Sequence, residues 1–434
     1  MTQEEALNAM KIGNNVFLTG PPGSGKTFLL NKYVDYLKEN HKSVAVTAST
    51  GVAATHMNGT TLHSWSGLGI RESLTKNDIK KMLKKPYLRK HYRNTRVLII
   101  DEVSMLTADQ FDAIENAARQ FRASFEPFGG MQVICSGDFF QLPPINKNGQ
   151  AKFVVDSHAW KSMDMKICYL EEQHRQTDKN LFALLSNIRK NNVEESKKIL
   201  AEKEQRNELP GIPTKLYTHN FDVDAVNSVE LAKIEGEEFV YHMTCSGKHE
   251  VVNALKKSCL APERLVLKKG ARVMFLKNNF EAGYVNGTQG NVVDFDIEGL
   301  PIVETVSGKK ITAKLAGWTI DEEGKAIARV NQLPLRLAWA ITVHKSQGMN
   351  LDTAEIDLSK CFIEGMGYVA LSRLRSLAGL KLVAINDMAF CINRNAFYID
   401  ERLKKASKKM AKELKSILPD ELEKKRGQFL FSMA

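Results

Sequence analysis

The stretch Gly20-Pro-Pro-Gly-Ser-Gly-Lys-Thr27 follows the apolar run Val16–Thr19 and precedes a helical pattern that begins at Phe28. It fits the phosphate-binding pattern G-x-x-x-x-G-K-[ST] at every position, in the strand, loop and helix context that the pattern requires. Glycines let backbone N–H groups and the start of the helix surround phosphate oxygens. Lys26 would then supply charge at the β- and γ-phosphates, and Thr27 would ligate Mg²⁺. The other predicted phosphate-binding residues are Gly23, Ser24 and Gly25.

Two adjacent carboxylates follow the next strongly apolar run, at 97–100. A triphosphate site needs one acid for the metal and a second for the attacking water. We expect Asp101 to hold Mg²⁺ through its water shell and Glu102 to accept the proton of the water. An acidic pair in this position can also serve only as a helix cap. Its combination with Lys26 favours the catalytic interpretation.

Short β-type runs alternate with helical stretches in the first half of the chain, at 16–19, 44–48, 97–100 and 132–135. This order predicts a parallel sheet whose functional loops lie at the carboxyl ends of the strands. A second αβ region starts near 165–170 and resumes at 333–343 and 380–386. Between the parts of this region, at roughly 235–330, short β-runs alternate with turn signals, a pattern that is typical of a small β-barrel.

The predicted fold is therefore α/β, with two parallel-sheet domains and an insertion in each. The first domain comprises 1–65 and 94–160, with a basic insertion at 66–93. The second comprises 161–234 and 331–395, with a β-barrel insertion at 235–330. A basic C-terminal helix occupies 396–434.

Composition is that of an ordinary globular chain and excludes a disordered or fibrous one. The 434 residues are 43% hydrophobic and 26% charged, and the formal net charge is +11. The excess lies in two segments: 71–96 has ten basic and two acidic side chains, and 401–434 has ten and five. Such patches suit a polyanionic partner, although a solvated helix face is the alternative for any lysine run.

Targeting and redox signals indicate a cytoplasmic protein. No run approaches the roughly 18 apolar residues of a membrane span, and the start of the sequence lacks the parts of a signal peptide. We therefore expect no membrane partner. The six cysteines form no CxxC pair, which favours reduced thiols over a zinc site or disulfides.

Further motifs resemble a known family. The segments GPPGSGKT (20–27), TGVAATHMNGTTLHSW (50–65), IIDEVSML (99–106) and GDFFQLPPI (137–145) resemble superfamily-one helicase motifs in their expected order. The residues just before the last of them resemble the signature of the Pif-type (petite integration frequency) DNA helicases: Arg119, Arg122 and Pro127–Gly130. Later segments resemble the fourth to sixth motifs, at 172–176, 341–348 and 368–373. The segments 269–274 and 284–290 resemble the approach to that family's SH3-like insert.

The resemblance covers nearly the whole chain to about residue 385, and it implies two RecA-like domains and several site residues. Gln3 would read adenine, and Gln141 would sense the γ-phosphate. Arg175 and Arg373 would act as arginine fingers from the second domain, and Gly348 would belong to the nucleotide-binding set. Arginine fingers that come from the other domain make hydrolysis depend on domain closure. Repeated closure can then drive movement along DNA.

DNA contacts are expected opposite the nucleotide, where hydroxyls bind phosphates and aromatic faces stack on bases. Trp65 has a rival interpretation as a core aromatic. The lysines of the basic insertion would hold duplex DNA near the junction, where the family carries its strand-separating element. The candidates are Thr50, Thr61, His63 and Trp65 in the first domain, His344, Lys345 and Gln347 in the second, and Lys80, Lys81, Lys84 and Lys85 in the insertion.

The sequence thus predicts a monomeric motor that hydrolyses ATP with Mg²⁺ and moves 5′ to 3′ on single-stranded DNA, with the polarity implied by the resemblance. Forked duplex DNA is the expected partner, G-quadruplexes or RNA–DNA hybrids are further candidates, and nucleoid association is expected if the source is bacterial. Replication, repair or telomere maintenance is the expected setting. Two rivals are a translocase or remodelling ATPase that separates strands poorly, and a nucleotide-switched DNA-binding protein. Gln141, Arg175 and Arg373 argue against the switch, because sensing and finger groups serve rapid turnover.

Overall fold

The computed structural model describes residues 1–434 except 58, 70, 145–151, 172–177, 205–208, 210–212, 260, 278, 280, 285–286, 323–324, 350 and 434. The chain divides into two units. The first comprises Met1–Lys197, Ile363–Tyr368 and Phe390–Ala434, and the second comprises Lys198–Phe362 and Val369–Ala389.

A six-stranded parallel sheet forms the centre of the first unit, in the order β3-β2-β4-β5-β1-β6. Its strands are β1 (Val16–Thr19), β2 (Val44–Ala48), β3 (Thr60–Thr61), β4 (Val97–Asp101), β5 (Gln132–Gly137) and β6 (Lys166–Tyr169). The helices that cover or connect them are α1 (Gln3–Lys11), α2 (Lys26–Glu39), α3 (Gly51–His56), α4 (Leu62–Ser66), α5 (Lys76–Leu83), α6 (Pro86–Asn94), α7 (Ala108–Arg122), α8 (His158–Ser162) and α9 (Lys179–Arg189).

The central strands β1, β4 and β5 are buried along their whole length. Near-continuous apolar runs are typical of strands covered on both faces, which explains why the sequence predicts them well. The predicted start of the second domain at 161 differs from the structure, because β6 pairs in parallel with β1 and belongs to the first sheet.

The basic insertion forms two helices that pack back onto the first unit. Pro86 occupies the first turn of α6, where its missing N–H costs nothing. Tyr92 of α6 is fully buried and its ring stacks on Phe121 of α7, with centroids 4.5 Å apart. Arg122 donates to the carbonyl oxygens of Gly129 at 2.6 Å and Tyr92 at 2.8 Å, so it joins the end of α7 to the insertion.

The C-terminal segment also packs on the first unit. It forms α14 (Arg394–Lys415) and α15 (Pro419–Ser432). Met410 and Leu414 enter the core that surrounds β1 and α1, and the Tyr169 N–H donates to Ser407 Oγ at 2.9 Å. The apolar face of α14 is therefore buried, while most of its lysines stay exposed.

The second unit contains a four-stranded parallel sheet in the order β18-β7-β19-β20 and an antiparallel five-stranded sheet in the order β14-β13-β12-β11-β17. Smaller sheets have the orders β15-β16-β9 and β10-β8. The strands are β7 (Thr214–Tyr217), β8 (Phe239–His242), β9 (Thr244–Gly247), β10 (Arg264–Leu267), β11 (Arg272–Phe275), β12 (Gln289–Phe295), β13 (Pro301–Thr305), β14 (Lys310–Thr312), β15 (Ala316–Glu322), β16 (Lys325–Gln332), β17 (Leu335–Leu337), β18 (Ala340–Thr342), β19 (Ala354–Leu358) and β20 (Leu380–Ile385).

Helices α11 (Asn220–Ala232) and α12 (His249–Cys259) belong to the second unit, whereas α10 (Val193–Glu204) and α13 (Met366–Leu371) each begin in the first unit and end in the second. The antiparallel strands share one apolar core, which includes Val273, Phe275, Val292 and Val303. None of the helices in the described ranges is long and apolar enough to cross a membrane.

Candidate nucleotide site and DNA-contact residues

Three neighbouring strands bring the predicted nucleotide residues to one edge of the first sheet. Strand β5 lies between β4 and β1, and all three run in the same direction. The loop 20–25 follows β1, the pair Asp101 and Glu102 ends β4, and Asp138 follows β5. Carboxyl ends of adjacent parallel strands form the usual ligand edge of such a sheet. The hydroxyl of Thr19 fixes this junction by donating to the carbonyl oxygen of Gly137 at 2.9 Å.

The loop after β1 wraps around its own lysine. Lys26 Nζ donates to the carbonyl oxygens of Gly20 at 2.7 Å and Pro21 at 3.1 Å. Gly23 and Gly25 adopt φ values of 86° and 85°, in the left-handed region that glycine tolerates without strain. Thr27 in the first turn of α2 is exposed. Gln3 lies beside this loop, because its Nε2 donates to the carbonyl oxygen of Ser24 at 3.4 Å.

The acidic pair lies at the end of β4 with its backbone fixed on two sides. Asp101 is 6% exposed, and its Oδ1 accepts the Glu102 N–H at 2.9 Å. Ser49 Oγ donates to the Glu102 carbonyl oxygen at 2.8 Å. Glu102 itself adopts φ 53°, an unusual conformation for a residue with a side chain and one found often at functional sites.

The charges at this edge influence one another. Burial lowers the pKa of Lys26, and the carboxylates of Asp138 and Glu102 act in the opposite direction. Burial raises the pKa of Asp101, and the nearby Lys26 charge opposes that shift. Mutual influence of this kind is expected where a lysine and several acids face the same phosphates.

The third loop carries Gln141, which is 5% exposed. Sequence reasoning missed its main ion pair: Arg189, at the end of α9, lies 3.0 Å from Asp138 Oδ2. An arginine near the end of an amphipathic helix is an ordinary surface feature, and no sequence signal distinguishes this one.

The residues present fit Mg²⁺-ATP. Ser24 Oγ is buried and makes no hydrogen bond within the described part of the chain, as expected of a hydroxyl in a loop that binds phosphate. Lys26 supplies a cation, and Thr27 and Asp101 supply the oxygen ligands that Mg²⁺ prefers. Lys26 and Gln3 contact the same loop, so the phosphates and the adenine base would bind at adjoining positions.

The two arginine fingers, Arg175 and Arg373, stay predictions. Arg175 lies outside the described residues. Arg373 belongs to the second unit, is 2% exposed, and donates to the Val369 carbonyl oxygen at 2.9 Å and to Ser372 Oγ at 2.7 Å. Gly348, also in the second unit, adopts φ 82°.

Of the first-unit DNA candidates, two hydroxyls cap helix starts. Thr50 Oγ1 accepts the Ala53 N–H at 3.2 Å, and Thr61 Oγ1 accepts the Ser64 N–H at 3.3 Å. His63 is partly buried, and burial lowers its pKa. Thr50 and Thr61 thus have local structural roles in addition to any contact with phosphate.

Trp65 lies in a core. It is 6% exposed, and its ring centroid lies 4.8 Å from that of Tyr92. A base can stack only on an exposed ring face, so the burial favours the core interpretation over the predicted stacking role.

The four lysines of the basic insertion that are predicted to contact DNA, Lys80, Lys81, Lys84 and Lys85, all have exposed side chains. The helix α5 buries Ile79 and Met82 on its other side. Lys80 and Lys81 lie within α5, Lys84 is its C-cap residue, and Lys85 is the N-cap residue of α6. Lys84 follows Lys81 by three residues and Lys80 by four, a spacing that places side chains together on a helix surface.

In the second unit, the segment after β18 carries His344, Lys345 and Gln347. Burial lowers the pKa values of His344 and Lys345. Gln347 is 6% exposed. His344 and Lys345 are partly exposed, as a residue that contacts DNA must be.

Known proteins resemble this chain along nearly its whole length. The PIF1-like helicase family model matches residues 2–201, and a model of the DNA helicase Pif1 2B domain matches 250–295. The ATP-dependent DNA helicase Pif1 of Psychrobacter sp. (strain PRwf-1) is 41% identical, over 100% of this chain and 75% of that protein. The crystal structure of Pif1 helicase from Candida albicans has a TM-score of 0.81 and 34% identity, over 92% of this chain and 98% of that one.

A second structure contains a nucleotide analogue: Bacteroides sp. Pif1 in complex with ADP-AlF4 has a TM-score of 0.76 and 31% identity, over 93% of this chain and 96% of that one. The chain spans 60% to 64% of the length of the Xenopus laevis, Danio rerio and Homo sapiens relatives that it matches. Identity above 30% over the whole chain, together with the strand-end site, shows that this protein belongs to the PIF1-like helicase family, whose relatives are ATP-dependent DNA helicases.

Proposed function

We propose that this chain is a DNA motor that hydrolyses ATP with Mg²⁺, moves 5′ to 3′ on single-stranded DNA and separates duplex ahead of it. One observation carries the proposal. The phosphate loop with Lys26, the pair Asp101 and Glu102, and the Gln141 loop follow three adjacent parallel strands of one sheet. The relatives of this chain are ATP-dependent DNA helicases, which supports DNA unwinding as the output of that hydrolysis.

Each residue has a defined task in this reaction. The loop 20–25 and Lys26 bind the phosphates and orient the γ-phosphate for in-line attack. Glu102 accepts the proton of the attacking water, and Asp101 with Thr27 orients the metal. Asp101 and Thr27 would hold Mg²⁺, which would supply positive charge to offset the negative charge that develops on the phosphate oxygens. Gln141 senses the γ-phosphate.

Arg373 and Gly348, which belong to the second unit, would take part in the same reaction, and so would Arg175. Fingers carried on another unit make the chemistry conditional on closure, so each ATP would drive one cycle of movement. Gln3 would set adenine preference from its place beside Ser24.

DNA would follow Thr50, Thr61 and His63 in the first unit and His344, Lys345 and Gln347 in the second. Contacts of this kind read the backbone and tolerate any sequence. The exposed lysines of the basic insertion would hold the duplex at the junction. The crystal structure of Bacteroides Pif1 bound to single-stranded DNA supports the first partner. A structure that describes DNA unwinding at forked double-stranded DNA by two coordinating Pif1 helicases supports the second.

We assign the basic insertion at 66–93 as the strand-separating element and the region 235–330 as a 2B insertion. The five-stranded antiparallel sheet with its own core supports an SH3-like barrel there. The first RecA-like domain then runs from residue 1 past 160, with β6 included. G-quadruplexes or RNA–DNA hybrids as further substrates, a monomeric state and a cytoplasmic, nucleoid-associated location complete the proposal.

A steady-state hydrolysis assay with and without single-stranded DNA tests the motor. The proposal expects strong stimulation by DNA, because binding on the track must promote closure. Slow turnover with no response to DNA would instead support a nucleotide-switched binding protein.

A further inference from the structure

Arg189 is the hub of a buried polar network in the first unit. Its side chain is 11% exposed. One end nitrogen donates to Asp138 Oδ2 at 3.0 Å and to the Tyr368 hydroxyl at 2.8 Å. The other donates to the Tyr169 hydroxyl at 2.8 Å and to Asp400 Oδ1 at 3.0 Å. A single guanidinium therefore joins α9 to four other segments of the unit.

The network fixes the loop that carries Gln141. Asp138 Oδ1 accepts the Phe140 N–H at 3.2 Å, and the Gln141 N–H donates to the Asp138 carbonyl oxygen at 3.1 Å. The guanidinium of Arg189 also lies over the Phe140 ring, 4.1 Å from its centroid, within the range of a cation–π contact. Asp138, Phe140 and Gln141 thus form one turn that Arg189 holds through two of its three members.

The opposite side of this turn is closed by backbone. Gly365 has φ +81°, and a Cβ built on it would lie 2.6 Å from the carbonyl oxygen of Gln141 and 2.9 Å from that of Phe140. No side chain fits at this distance. The turn is therefore held between the guanidinium of Arg189 and the backbone of Gly365, with little freedom to move.

The charges explain why arginine is needed. Asp138 is 1% exposed, and an unpaired carboxylate so deeply buried would be costly and would repel phosphate. Burial by itself would lower the pKa of Arg189, but the charge of Asp138 and the hydroxyls of Tyr368 and Tyr169 raise it well above its ordinary value. The guanidinium thus stays charged, and its fork reaches acceptors on both sides, which the point charge of a lysine cannot do.

We propose that Arg189 is a positioning residue for ATP hydrolysis that acts through Asp138 to hold Gln141 at the γ-phosphate. It is not a finger, since both of its terminal nitrogens donate within the network. The proposal rests on the hydrolytic function proposed above. A Gln141 loop displaced by about 1 Å is expected to cost on the order of 10²-fold in rate, because reacting groups tolerate little misplacement.

The test uses the full chain and compares Arg189→Lys and Asp138→Asn with the unaltered protein. Both variants should lower the DNA-stimulated kcat on the order of 10²-fold while the affinity for a fluorescent ADP analogue changes by less than about threefold. Arg122→Lys is the matched control, because Arg122 is likewise a partly buried arginine of the first unit that donates several hydrogen bonds, in its case to backbone carbonyl oxygens. It should lower the melting temperature and leave kcat unchanged.

A double-mutant cycle separates positioning from general stability. If Asp138 acts only through Gln141, Asp138→Asn combined with Gln141→Ala should hydrolyse ATP no more slowly than Gln141→Ala alone. Multiplied losses in the double variant would overturn the proposal, as would equal kcat losses in Arg122→Lys and Arg189→Lys. If Arg189→Lys does not fold, the Asp138 cycle alone decides. Normal hydrolysis in a Lys26→Ala variant would instead refute the proposed nucleotide site itself. Failure of the proposed function and failure of the Arg189 proposal are therefore distinguishable.

Discussion

Changing Lys80, Lys81, Lys84 and Lys85 to alanine should weaken the hold on a fork without harming the fold or the nucleotide site. All four side chains are exposed, and the apolar contacts of α5 come from Ile79 and Met82 on the other side. Helix propensity does not oppose the change at Lys80 and Lys81, because alanine is the best helix former, and the Lys85 side chain makes no cap hydrogen bond that the change would remove. The variant therefore isolates charge.

The expected magnitude follows from counterion release. Each lost phosphate contact reduces the slope of log affinity against log salt by about 0.9 on duplex and about 0.7 on single strands. Four contacts give a change of up to ~3.6 or ~2.8. Between 50 and 200 mM salt, the unaltered protein should lose roughly 50- to 150-fold more affinity than the variant.

The assay is binding to a forked substrate at several salt concentrations, beside unwinding and hydrolysis at saturating single-stranded DNA. Unwinding should fall and hydrolysis should change little. A matched control removes four exposed charges from α14, at Lys405, Lys408, Lys409 and Lys412. A slope unchanged in the insertion variant, or reduced equally in the control, would refute a specific role for the insertion.

Four further substitutions test the site and the core. Lys26→Ala should abolish hydrolysis while the circular dichroism spectrum and melting temperature stay near normal, and near-normal DNA-stimulated turnover would contradict the site. Glu102→Gln should retain Mg²⁺-ATP binding but stop turnover, whereas Asp101→Asn should weaken metal-dependent binding; an equal loss of binding in both would show that the division of roles is wrong. Trp65→Ala should lower the free energy of unfolding in urea by about 3–5 kcal/mol, as expected for a buried aromatic. Unchanged stability with weaker DNA binding would restore the stacking role.

The sequence predicted the first sheet well because its strands are buried and adjoin recognisable loops. β1 and β2 have the predicted bounds, and β4 and β5 extend one or two residues beyond theirs. The sheet that β6 joins could not be predicted in the same way. A four-residue apolar strand carries no signal for its partner, and its pairing with β1 is set by contacts about 150 residues apart in the chain.

The nucleotide site was predictable for a similar reason: each motif lies directly after its strand. The Arg189 network was not, because its members come from five separate segments and each alone looks ordinary. Arg189 ends an amphipathic helix, and Asp400 lies in a lysine-rich one. Trp65 shows the opposite problem. Its neighbours in sequence match a DNA-binding motif, but its burial depends on contact with Tyr92, which only the folded chain reveals.

Strand displacement with matched overhangs tests the central claim most directly. Two substrates with the same duplex, one with a 5′ and one with a 3′ single-stranded overhang, are incubated with the protein, ATP and Mg²⁺. The account predicts ATP-dependent release of the displaced strand from the 5′-overhang substrate, with none in Lys26→Ala and little from the 3′-overhang substrate. Preferred release from the 3′ overhang would contradict the polarity, and hydrolysis stimulated by DNA without release from either would contradict unwinding.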